Sequence, residues 1–238
     1  MRIFLAGASG VIGRRLTPLL VRAGHIVVGT TRSAAKVDAL RSLGAEPAVV
    51  DVFDAAVLAR AVAEAKPDAI IHQLTDLPFA PGTPRYEDGL ERNARLRIEG
   101  TRNLVNVARA AGVQRLIAQS IAFVYAPKEG ALVEDDALAT GAAGMLGRTV
   151  EGVQVLEQAV LALPQGIVLR YGFLYGPGTW SPDAPSRAPG VHVDAAAHAA
   201  LLALTHGTPG IYNIAEDAPS LSSEKAKREL GFGAPFRL

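Results

Sequence analysis

Short apolar or β-branched runs alternate along this chain with longer stretches in which apolar residues recur every three to four positions. The runs Arg2 to Ala6, His25 to Thr30, Pro47 to Val50, Ala69 to Gln73, Arg115 to Gln119 and Gly166 to Arg170 read as strands. The helical period marks segments near Val11 to Ala23, Ala34 to Leu43, Ala55 to Ala65, Glu87 to Ala111 and Arg148 to Leu163. Gly24, Gly44 and Gly112 stand where a left-handed residue closes a helix. Alternating strands and helices predict a parallel sheet with crossover helices on both faces. Right-handed crossovers through six strands give the doubly wound order 3-2-1-4-5-6.

At 238 residues the chain is long enough for one sizeable core, and 49% hydrophobic against 20% charged residues is the balance of a packed α/β domain. A single domain over 1–238 is expected, with 171–238 contributing a small substrate-side lobe. In doubly wound sheets ligands bind off the carboxyl ends of the strands. Gly7, Arg32, Asp51, Thr75, Ser120 and Tyr171 all fall at or just behind a predicted strand end. A net charge of +1, without basic runs, points away from nucleic acid. The chain has no cysteine, which excludes disulfides and thiolate chemistry, and its five histidines form no metal-ligand spacing. The first apolar run is too short for a membrane span or leader, so a cytoplasmic protein without membrane attachment is expected.

Gly7-Ala8-Ser9-Gly10-Val11-Ile12-Gly13 follows the first strand directly and opens the first helix. In that setting the glycines allow a tight turn and close packing, and the helix N-terminus offers unpaired amides to a pyrophosphate. Gly7, Ser9, Gly10, Val11, Ile12 and Gly13 are therefore expected to bind a dinucleotide in a Rossmann fold. The second strand ends in Thr30-Thr31-Arg32, and no acid occurs before Asp38. A ribose 2′-hydroxyl is usually met by a carboxylate here, whereas a 2′-phosphate needs a cation, so Arg32 favours NADP over NAD. Asp51 and Val52 are placed to meet adenine, although Asp51 could equally cap the helix starting near Ala55. Gln73, Leu74 and Thr75, after the fourth strand, offer contacts to ribose or nicotinamide. Asn93 sits on a long helix passing beneath the site, where it could hold a helix distortion or a water.

In order along the chain stand the glycine turn, Asp68 to His72 (DAIIH), Glu99 to Leu104 (EGTRNL), Ser120 to Tyr125, Leu169 to Gly178 (LRYGFLYGPG) and Ser223 to Gly231 (SEKAKRELG). With these motifs the chain resembles the extended short-chain dehydrogenase/reductase family, the NAD(P)-dependent epimerases and dehydratases. The resemblance implies a Ser or Thr after the fifth strand that binds the substrate oxygen, a role matched by Ser120. It also implies a Tyr four residues before a Lys, where the ammonium lowers the phenol pKa for proton exchange. That pair is missing, its positions being occupied by Thr149 and Val153. The chain is thus an atypical member.

If the chain is an enzyme, Tyr125 is the substitute proton donor, with Lys128 or Arg148 as charge partner and Tyr171 the next choice. Tyr171 is also expected beside the cofactor. The substrate lobe is shorter than the family pattern, which suits a small carbonyl or hydroxyl compound or a sugar derivative. The expectation is an NAD(P)-binding oxidoreductase or epimerase-like protein. Its rival is a non-catalytic protein that senses NADP. A homodimer through the helices near 87–111 and 148–163 is what the resemblance suggests for assembly.

Overall fold

The structure, a computed structural model, describes residues 1–238. Its centre is a parallel sheet of seven strands: β1 (Arg2–Ala6), β2 (Ile26–Thr31), β3 (Glu46–Val49), β4 (Ala69–His72), β5 (Arg115–Ile121), β6 (Gln165–Tyr171) and a strand from Gly210 to Ile214. Between the last two lies a separate pair of short parallel strands, β7 (Phe173–Tyr175) and β8 (Gly190–His192), which makes Gly210–Ile214 β9. The sheet order is β3-β2-β1-β4-β5-β6-β9. The doubly wound arrangement read from the sequence is present, extended by one strand.

Alternation along the inner strands divides the core in two. Ile3 and Leu5 of β1, Ile71 of β4 and Leu169 of β6 face one side, where they pack against α1 (Val11–Arg22), α7 (Val193–Leu202) and α8 (Glu224–Leu230). Phe4, Ile70, Leu116 and Val168 face the other side, covered by α3 (Ala55–Ala65), α5 (Thr101–Ala110) and α6 (Gly144–Leu161). A small helix, α2 (Val37–Ser42), follows a 3₁₀ turn at Ala34–Lys36. The long predicted helix after β4 runs from Tyr86 to Ala110, but in three pieces: α4 (Tyr86–Arg95), a π turn at Leu96–Gly100, and α5. It packs closely on α6, where a Cβ added at Gly152 would come within 3.2 Å of Ala94.

Much of 171–238 rejoins the sheet instead of forming a lobe. β9 extends it by pairing with β6, and α7 lies buried against α1, with Arg15 Nε donating to Asp194 at 2.7 Å. Ala195, Ala196, Ala197, Ala199 and Ala200 are all fully buried. A helix enclosed on every side shows no apolar stripe, so its period cannot be read from the sequence.

Candidate functional site

The turn after β1 is shaped by contacts that only glycine satisfies. Gly7 has φ +92°, and a Cβ there would stand 2.7 Å from the Gln73 carbonyl oxygen. At Gly13 a Cβ would lie 2.2 Å from the Gly7 carbonyl oxygen, so α1 could not approach β1. β2 holds the turn from the side: Gly7 N donates to Thr30 Oγ1 and Ser9 Oγ to Thr31 Oγ1, both at 3.2 Å. No side chain caps the start of α1 and no acid occupies its first turn, so its leading amides remain available to an anion.

These amides open into a cleft of about 380 Å³ across the carboxyl ends of β1 to β4. Gly7, Ser9 and Gly10 form one wall, Thr31, Arg32, Ser33 and Lys36 a second, and Gln73, Leu74, Thr75 and Asp76 a third, with Val50, Val52 and Leu58 below. Lys36 and Ser33 were not anticipated. The signal was there, since Lys36 follows Arg32 by four residues and the intervening 3₁₀ turn folds it back to the same rim. Asp76 was missed as well. Its buried carboxylate accepts from Arg32 at 3.2 Å and from Arg92 at 3.1 Å, and its amide donates to Asn93 Oδ1 at 3.0 Å. Arg92, an exposed residue of α4, thus holds Asp76 at the edge of the cleft.

Several expected site residues stand elsewhere. Ile12 buries its side chain in the core, and neither it nor Val11 lines the cleft. Asp51 accepts from Phe53 N at 3.0 Å and is not part of the cleft wall; the residue that caps α3 is Asp54, which accepts from Val57 N at 2.9 Å. Asn93 is buried and acts on the cleft through Asp76. Tyr171 is enclosed in the core, where its hydroxyl donates to the Ala196 carbonyl and accepts from Gln73 Nε2. Burial pushes that phenol well above the ordinary tyrosine range.

The two residues expected to be catalytic are brought together, but in a buried network that does not face the cleft. Ser120 Oγ donates to Glu157 Oε1 at 2.7 Å, and Glu157 receives both Nε and a terminal nitrogen of Arg170, at 2.9 and 2.7 Å. The Arg170 guanidinium lies 4.7 Å from the Tyr125 ring centre, and Tyr125 Oη donates to Asn213 Oδ1 at 2.7 Å. Burial raises the Tyr125 pKa, against the lowering effect of Arg170. This phenol stays protonated and engaged. The suggested charge partners are engaged too, Lys128 with Asp136 and Arg148 with Glu91 and Glu151. Thr149 is buried, and Val153 is fully buried beside Val124 and Val150. A hydroxyl–ammonium relay is thus absent from these positions, and the hydroxyls expected to replace it bind elsewhere.

His72 ends β4, buried just before the residues that wall the cleft. Its Nδ1 accepts from Leu74 N at 3.2 Å and its Nε2 pairs with Thr101 Oγ1 at 3.1 Å, which makes it the neutral Nε2–H tautomer. Burial, aided by the charge of Arg97, lowers its pKa to about 4. Next to it the buried Gln73 Oε1 has no hydrogen-bond partner. Exchanging the amide atoms would only move the deficit to nitrogen, because Tyr171 already donates to Ala196. An orphaned amide atom beside a glycine cradle with uncapped helix amides and a cationic rim fits a dinucleotide.

Fold and turn define a dinucleotide-binding Rossmann protein built like the NAD-dependent epimerases and dehydratases of the short-chain dehydrogenase/reductase group. Residues 7–151 match the family model described as NAD(P)H-binding, and the chain belongs to that family. Over 94% of its length it is 38% identical to a 3-diazoavenalumate denitrifying reductase from a Streptomyces species, of which it covers 79%. Among solved structures, UDP-glucose 4-epimerase of Thermotoga maritima aligns over 100% of this chain and 94% of its own, at TM-score 0.79 and 18% identity. Yeast methylglyoxal/isovaleraldehyde reductase, solved with NADPH, aligns over 98% and 94% at TM-score 0.79 and 14% identity.

Proposed function

We propose that this protein is an NADP(H)-dependent reductase of a small, flat, mostly apolar electrophile, whose chemistry requires no tyrosine–lysine proton relay. The observation that carries the cofactor reading is the pairing of the uncapped α1 amides with the Arg32 and Lys36 rim. The amides of residues 9 to 12 would hold the diphosphate, and Arg32, Ser33 and Lys36 the 2′-phosphate. Arg32 would exchange its contact with Asp76 for that phosphate, leaving Asp76 paired with Arg92. Bound there, NADPH supplies a hydride.

The acceptor side is a second hollow of about 200 Å³ near the ends of β5 and β6, lined by Ala122, Phe123, Leu132, Gly172, Phe173 and Pro189 among others. Phe123 and Phe173 stack with centres 4.5 Å apart and planes inclined by 13°, and Phe123 stays 45% exposed. Such a surface suits an aromatic ring. Reducing a carbonyl creates an alkoxide that must be protonated, whereas an aryl diazonium plus hydride balances as the arene plus dinitrogen, with no oxygen to protonate. Engagement of Ser120 and Tyr125 in a buried network, together with the name of the Streptomyces relative, supports a diazo-type acceptor over a carbonyl.

The test is NADPH oxidation with a diazo aromatic acid and with a flat aldehyde, using cofactor deuterated at nicotinamide C4 and protein-free controls. Enzyme-dependent deuterium in the denitrified arene is expected. NADPH binding with no turnover of either compound would favour the second reading, a non-catalytic NADP sensor, which the engaged hydroxyls also permit.

A further inference from the structure

We propose that Arg97 is a ligand-binding residue that grips the ribose hydroxyls on the nicotinamide side of the bound dinucleotide. This rests on the reading of the cleft as an NADP(H) site and adds a contact to it. Arg97 lies in the π turn, and with Asn93 and Thr101 it forms a row at four-residue spacing along one helix. The outer members of the row are anchored on the segment after β4: Asn93 accepts from Asp76 N at 3.0 Å, and Thr101 pairs with His72 at 3.1 Å. Between Asp76 and His72 lie Gln73, Leu74 and Thr75, the cleft wall at this strand end. Arg97 stands between the two anchors, one turn from each, behind the segment that carries this wall, and its charge acts on His72.

Arg97 is only 9% exposed, yet no hydrogen bond within the fold engages its guanidinium. Burial lowers its pKa to about 10, offset in part by the charge of Glu157. Glu157 is already committed to two nitrogens of Arg170 and to the Ser120 hydroxyl. His72 cannot compensate, since it is neutral and both its ring nitrogens are in use. A largely buried guanidinium without a hydrogen-bond partner in the fold is costly, and a ligand oxygen reduces the cost.

The chemistry of the neighbour decides the kind of oxygen. The Gln73 side chain turns to the opposite face of the sheet, towards Tyr171, and leaves Oε1 unpartnered at the same strand end. A ligand crossing that end meets donors from one side and an acceptor from the other. A carboxylate or phosphate can satisfy only the donors, whereas a vicinal diol accepts from the guanidinium and donates to the amide oxygen.

Calorimetric titration of wild type, R97M and R97K with NADPH and with 2′,5′-ADP, which lacks the nicotinamide ribose, tests this, together with melting of the ligand-free proteins. R97M should weaken NADPH at least tenfold, leave 2′,5′-ADP within twofold, and melt no lower than wild type, because an unpaired buried charge has been removed. R97K, which keeps the charge but loses the fork, should fall between. Equal loss for both ligands, unchanged NADPH affinity, or ligand-free variants that melt well below wild type or do not fold would make Arg97 a structural cation and overturn the proposal. If wild type binds neither ligand, the NADP(H) reading falls as well; if it binds both and R97M matches it, only the role of Arg97 falls.

Discussion

Around the ends of β1 to β3 polar groups are held open, whereas at the ends of β5 and β6 they are closed on one another. The first region keeps uncapped helix amides and the exposed Lys36 facing a cleft. The second places Ser120, Glu157, Arg170, Tyr125 and Asn213 in one buried network that ties β5, α6, β6 and β9 together. Motifs of similar appearance thus have opposite uses. How far a polar residue behind a strand end stays open to a ligand is decided by residues far away in sequence, such as Glu157 and Asn213.

The contrast is broken most directly at Glu157. E157A leaves the Arg170 charge buried without its partner and should cost about 3–5 kcal/mol in urea unfolding; a variant of native stability without activity would instead put the network in catalysis. At the boundary between the regions, His72 has a folded pKa of about 4 against an ordinary 6.5, so the unfolded chain binds the extra proton first. Stability is then full above pH 6.5 and falls as pH drops towards 4, by up to about 3 kcal/mol at about 1.4 kcal/mol per unit. H72Q should flatten that part of the stability profile.

On the open side, R32A should weaken NADPH by about 10- to 100-fold, the equivalent of about 1.5–3 kcal/mol for a charged hydrogen bond, and leave NADH unchanged. K36A should act in the same direction and less strongly. Equal effects on both cofactors would place Arg32 at the diphosphate or in the fold. The smallest effects belong to S120A and Y125F, each about 1 kcal/mol of stability with kcat within twofold of wild type. A hundredfold fall in kcat in either would reverse the assignment of the closed region.

The glycine turn, Arg32 and the first six strands were legible because each depends on local sequence: a φ only glycine adopts freely, a cation after a strand, a run of apolar residues. β9 is not legible as a strand in the sequence, because five residues carry little period. α7 escaped because its alanines are buried all round. Ser120 and Tyr125 stand behind β5 as expected, but their hydrogen bonds to Glu157 and Asn213 could not be read from the sequence, since those partners are 37 and 88 residues away. Lys36 and Asp76 were missed because the cleft wall is assembled from three separate connections.

The π turn at Leu96–Gly100 carries one more residue than an ordinary helical turn would. The wider turn absorbs that residue, so loss of a single codon between 96 and 100 would let the helix run on in regular fashion with Thr101 still facing His72, whereas the same loss inside α5 would swing every later side chain by about 100°. One-residue differences in length among relatives should therefore fall within this turn and not in the regular helices on either side of it.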